Sequence, residues 1–89
     1  MATNIVIPDS VLKKLNDLPK EVRIKFWEQL ERLVSNPSYP SLRNEKLKGT
    51  DHWAFSITMN YRATCIRAEM GIVITALGTH KDVLGDKIR

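Results

Sequence analysis

Apolar residues recur at helical spacing through the first third of the chain and alternate with polar ones through the last third. The run at 4–7, Asn-Ile-Val-Ile, is short, rich in β-branched residues and stopped by Pro8, which predicts a strand. From Asp9 or Ser10, either of which can cap a helix, Val11, Leu12, Leu15 and Leu18 follow one helical face. Leu18-Pro19 ends that helix, because a residue before proline is pushed out of helical geometry. Proline in turn suits the first turn of a second helix with Glu21 near its amino end. This second helix runs to about Ser35 on an apolar set of Val22, Phe26, Leu30 and Leu33, broadened by Ile24, Trp27 and Val34, with Glu28, Glu31 and Arg32 mostly opposite. Asn36-Pro37 closes it.

The proline- and glycine-containing stretch 36–51 reads as a connection. From His52 the period becomes two: Trp53, Phe55, Ile57 and Met59 point one way, His52, Ala54, Ser56 and Thr58 the other. Asn60 marks a turn into a strand in which Tyr61, Ala63 and Cys65 oppose Arg62, Thr64 and Ile66. Met70-Gly71 marks another turn, into a last strand at 72–79. Short loops make these three strands an antiparallel meander. The pattern predicts an α+β fold ordered β-α-α-β-β-β, with the helical hairpin on one face of the sheet and the other face free. Phe26, Trp27, Trp53 and Phe55 read as core.

With 89 residues and 43% hydrophobic content the chain reads as a single domain spanning 1–89. Cys65 is the sole cysteine, which excludes an internal disulfide, and no cysteine and histidine cluster has zinc-site spacing. The amino end has no signal-peptide pattern and no stretch has the length of a membrane span, so a cytoplasmic location without membrane association is expected. The net charge of +4 is unevenly placed. Residues 9–36 carry six basic and five acidic side chains, whereas 37–67 carry five basic (Arg43, Lys46, Lys48, Arg62, Arg67) and only Glu45 and Asp51 as acids. A local excess of this kind suits a polyanion or an acidic protein, and equally a mildly basic soluble surface.

Several residues carry candidate chemistry. Arg62 alternates away from the apolar side of its strand, where a guanidinium can grip a phosphate with two parallel hydrogen bonds; a solvated strand arginine has the same pattern. His80 and Lys81 follow the last strand, and a histidine can donate and accept protons near neutrality, or simply close a loop. Lys46 and Lys48 flank Leu47 and face one side if the segment is extended, giving positive potential for a nucleic-acid backbone. Arg43 and His52 belong to the same basic stretch. No Walker loop, dinucleotide glycine fingerprint or serine triad order is present.

In order and spacing, "IPDSVLKKLNDLPKEVRIKFWEQLERLVSNP", "EKLKG", "NYRATCI" and "ALGTHKDVLG" resemble the RelE/ParE superfamily of type II toxin–antitoxin toxins over nearly the whole chain. The ending "GTHKDVLG" is most similar to the YafQ-type branch of messenger-RNA endonucleases. The resemblance implies a ribosome-dependent endoribonuclease that needs no metal or cofactor. In such enzymes the ribose 2′-hydroxyl attacks the adjacent phosphate, and the protein aligns the strand, moves protons and stabilises the added charge. It further implies Arg62 as transition-state stabiliser, His80 in proton transfer, and Lys48 near the nucleophile. Lys46 matches a family lysine that would hold the phosphate backbone; Arg43 and His52 from the basic stretch and Lys81 from the strand end would join it on the RNA, and the partners would be the ribosome, its messenger RNA and a cognate acidic antitoxin. Leu84 stands where many relatives have an aromatic residue. The same superfamily contains ParE-like inhibitors of DNA gyrase that do no catalysis, and a degenerate, non-toxic protein-binding relative is a third reading.

Overall fold

The computed structural model describes residues 4–69, 71–79 and 83. Strand β1 (Asn4–Val6) leads into helices α1 (Asp9–Asn16) and α2 (Lys20–Ser35), and the chain then returns as β2 (Glu45–Lys46), β3 (His52–Ser56), β4 (Tyr61–Ala68) and β5 (Gly71–Thr79). The strands form one five-stranded sheet in the order β1-β5-β4-β3-β2. The β3-β4-β5 meander is antiparallel as its short loops require, and β1 lies parallel to β5 at one edge. A parallel neighbour needs a crossover, which the two helices supply.

The helices begin and end where local chemistry allows. Pro8 takes an extended backbone and is the cap of α1, its carbonyl accepting from the Val11 and Leu12 amides. Asp9 therefore sits in the first turn rather than capping with its side chain. The helix closes at Asn16, two residues before the expected Leu18, because the Asp17 and Leu18 amides reach back only three residues. Val11, Leu15, Val22, Phe26, Leu30 and Leu33 meet Phe55, Ile57, Ala63, Cys65, Ile72, Ile74 and Leu77 in the main core. Burial pushes the Cys65 thiol pKa upward, which keeps it a neutral, unreactive core group.

Five expectations change. The 36–51 connection contains a 3-10 turn at Pro40–Leu42 and the two-residue strand β2, which pairs with Ala54 and Trp53. β3 stops at Ser56, so Met59 lies in the hairpin turn with 93% of its surface exposed instead of facing the core. Trp27 is 48% exposed, its ring edge-on to Phe26. Trp53 is only half-buried, and the Arg67 guanidinium lies 4.1 Å over its ring. Finally, the face away from the helices is not wholly free. Leu47, Ala54 and Val83 form a small second cluster, and Arg62 and Thr64 are buried.

Gly71 is where β1 meets β5. Its φ of +145° suits glycine, and a Cβ there would fall on the Asn4 carbonyl. Gly49 also has a positive φ, +78°, yet a Cβ there would meet nothing within 4 Å. Urea unfolding should therefore show Gly71→Ala losing about 3 kcal/mol and Gly49→Ala only about 1 kcal/mol. Equal losses would contradict this account of the β1–β5 junction.

Candidate functional site

Strand register determines what surrounds Arg62. On the face away from the helices its cross-strand neighbours are Ser56 on β3 and Gly78 on β5. Both are small, so neither cross-strand neighbour crowds the guanidinium over the sheet. One residue pair along, β4 and β5 slip register between Thr64 and Cys65, and the Thr64 and Thr75 hydroxyls bond at 2.7 Å across the irregularity. A bulge of this kind increases local twist and commonly re-aims side chains beside a site.

The segment after the 3-10 turn folds over this arginine. Arg43 takes a left-handed backbone conformation, φ 47° and ψ 42°. This kink directs the Arg43 carbonyl to Arg62 Nη2, which donates to it at 3.4 Å. The same Nη2 lies 3.6 Å from Glu45 Oε1 on β2. Only 8% of Arg62 remains exposed, and its Nε–H, also buried, has no partner among the described residues. Burial lowers the arginine's pKa, Glu45 counters that shift, and the nearby Arg43 charge adds to it. The group nevertheless stays cationic at any physiological pH. A buried cation with long, incomplete contacts is poorly compensated, and a bidentate anion such as a phosphate oxygen pair would satisfy it.

The other expected residues are more scattered. Arg43 is in the site through its carbonyl, while its side chain is exposed. His52 shares Arg62's face, but it pairs with Ile66, at the far end of β3 from Ser56. Four residues of strand put it about 13 Å away. Lys46 is opposite Trp53, which packs on the main core, so the pairing puts Lys46 on the other face of the sheet from Arg62. Lys48 is exposed in the turn beyond β2, where the extended conformation ends as Thr50 bonds back to Leu47. His80, Lys81 and Leu84 lie outside the described residues.

Two residues not singled out by the sequence belong here. Glu45 is the carboxylate held against Arg62, and its being one of only two acids in a basic stretch was the available signal. Gln29 is 2% exposed and uses all its hydrogen-bonding capacity. Its amide nitrogen donates to the Ser41 carbonyl at 3.1 Å and the Ser56 carbonyl at 2.8 Å. Its oxygen accepts from Arg32 Nη1 at 2.9 Å and the Ser41 hydroxyl at 3.3 Å. A polar residue between Phe26 and Leu33 on the buried stripe was its sequence signal.

No family model and no curated protein matches the chain. Solved structures do. A chain of the archaeal RelE–RelB complex from Pyrococcus horikoshii OT3 matches with 26% identity and a TM-score of 0.71, covering 89% of this chain and 96% of that one. A chain of the YoeB–YefM complex from Staphylococcus aureus matches at 20% identity and TM-score 0.72, over 90% of this chain and 99% of that one. A YoeB/ParE toxin from Agrobacterium tumefaciens matches at 16% identity and TM-score 0.73, over 88% and 99%. The chain thus has the α+β fold of RelE and YoeB toxins, two helices packed on a five-stranded sheet.

A buried cation with incomplete compensation adds little or nothing to stability relative to an apolar side chain of similar size. Arg62→Met should leave the urea unfolding free energy unchanged or raise it by about 1 kcal/mol. A loss of about 3 kcal/mol would mean that Arg62 is a structural ion pair instead.

Proposed function

We propose that this protein is the toxin of a type II toxin–antitoxin pair, acting in the cytoplasm as an endoribonuclease on messenger RNA at the ribosome. The observation that carries the reading is Arg62, a buried guanidinium on the sheet face opposite the helices whose Nε–H has no partner among the described residues, in a chain with the RelE and YoeB fold. RNA cleavage of this kind forms a bond from the 2′-oxygen to phosphorus and breaks the bond from phosphorus to the 5′-oxygen. The 2′-hydroxyl gives up a proton and the departing 5′-oxygen takes one. Arg62 is suited to the non-bridging oxygens, which gain charge as the phosphorus becomes five-coordinate. Glu45, beside Arg62 and 60% exposed in its side chain, is the carboxylate suited to accept the 2′-hydroxyl proton. His80 is assigned to the leaving oxygen on its position in sequence, with Lys48, Lys46, Arg43, Lys81 and His52 on the RNA backbone. The likeness to the YafQ-type branch rests on "GTHKDVLG" alone.

The partner in this reading is an acidic antitoxin. RelE and YoeB neighbours were solved in complex with RelB and YefM. This chain is basic, and it exposes Ile24 and Trp27; Trp27 lines an open, mainly apolar groove of about 360 Å³ with Ile5, Leu30 and Val34, to which Glu31 and Ser35 add a polar edge. Such a surface suits an apolar segment of a protein partner, and its burial would add stability to a small domain.

Induced expression in bacteria tests the reading. Wild type should arrest growth and cut messenger RNA, and Arg62→Ala should lower cleavage by a factor on the order of a hundred while the protein stays folded. Arrest with intact messages and a loss of DNA supercoiling would replace the nuclease with the gyrase-inhibitor reading. Absence of arrest would leave a non-toxic binding module.

A further inference from the structure

We infer that Gln29 is the positioning residue of the Arg62 site: from the buried side of α2 it determines where Arg43 and Glu45 stand against the guanidinium. No hydrogen bond joins it to Arg62 itself among the described residues. Its two amide hydrogens reach two different pieces of chain, the Ser41 carbonyl in the 3-10 turn and the Ser56 carbonyl at the end of β3. Each piece leads to the site within a short stretch. Ser56 is the cross-strand partner of Arg62. Ser41 lies two residues before Arg43, whose carbonyl accepts from Arg62, and four before Glu45.

Chemistry admits one orientation of this amide. Two carbonyls demand its nitrogen, and a guanidinium and a hydroxyl demand its oxygen, so a flipped amide would face acceptors with an acceptor. Arg32, which supplies the guanidinium, is itself held 4.8 Å over the Tyr39 ring at the start of the same connection. The network therefore links α2 to the stretch just before the Arg43 kink, at Tyr39 and Ser41, and to the end of β3 at Ser56. β2 has only two residues, too few to hold that segment by strand pairing alone. The left-handed Arg43 and the Glu45 carboxylate need a second anchor, and Gln29 supplies it.

Binding of RNA at Arg62 rests on the nuclease reading, whereas the geometry of the site does not, and the test separates them. The Arg62 Nε–H is followed by ¹⁵N NMR in ligand-free protein, in Gln29→Met and in Arg32→Met. The second variant removes a donor from the Gln29 oxygen and leaves the core side chain in place. A changed Arg62 Nε–H frequency and faster exchange with solvent in folded protein of either variant support positioning. An Arg62 signal identical to wild type in folded Arg32→Met and Gln29→Met overturns it, as does unfolding of Gln29→Met with an unperturbed signal in Arg32→Met. In a second arm, affinity is measured for an oligoribonucleotide made uncleavable by 2′-deoxy substitution. Gln29→Met should weaken binding about tenfold in the wild-type background and not at all in an Arg62→Ala background. Equal weakening in both backgrounds means that Gln29 acts on stability alone and overturns the proposal. If wild type itself does not bind the oligonucleotide, the nuclease reading falls, and the NMR arm decides the positioning role.

Discussion

The Arg62 guanidinium lies over a sheet between a serine and a glycine, and the segment carrying Arg43 and Glu45 shuts it off from water without giving it full compensation. Much else in the fold serves that placement. The meander puts Arg62 on the face away from the hydrophobic core, so its charge never competes with Phe26, Phe55 or Ile74 for the same space. Folding bears a desolvation cost that a stable small domain would avoid by substituting an apolar side chain. Retaining the cation makes physical sense if an anion completes it.

The opposite face explains how the strain is borne. The helical hairpin buries an apolar stripe against β3, β4 and β5, and that burial supplies most of the stability available to a chain of this size. One polar residue interrupts the stripe. Gln29 is tolerated there because each of its polar sites is matched, and a fully satisfied buried network rigidifies its surroundings instead of weakening them. The rigid hairpin thus anchors the irregular segment on which the Arg62 site depends.

How far the fold was legible follows from which features are local. The helices and the meander are written in periodicity, and Arg62's face follows from alternation with Ala63 and Cys65. β2 was not legible, because two residues become a strand only by pairing with Trp53 and Ala54. Trp27 was misread as core because a helix pattern reports apolar width but not how much of it a sheet will cover. Lys46 was placed by alternation in an assumed extended segment, whereas register with Trp53 sets its face. The burial of Arg62 and the role of Glu45 depend on a left-handed kink at Arg43, a non-glycine residue with no turn signature of its own.

The central claim is that Arg62 is a preorganised anion site. Titrating the protein, labelled with ¹⁵N-arginine, with inorganic phosphate while observing the Arg62 Nε–H tests it most directly. The account predicts a saturating shift at Arg62 as its Nε–H, unpartnered among the described residues, gains an acceptor. An unmoved Arg62 signal, with only the exposed arginines responding weakly and without saturation, would contradict it.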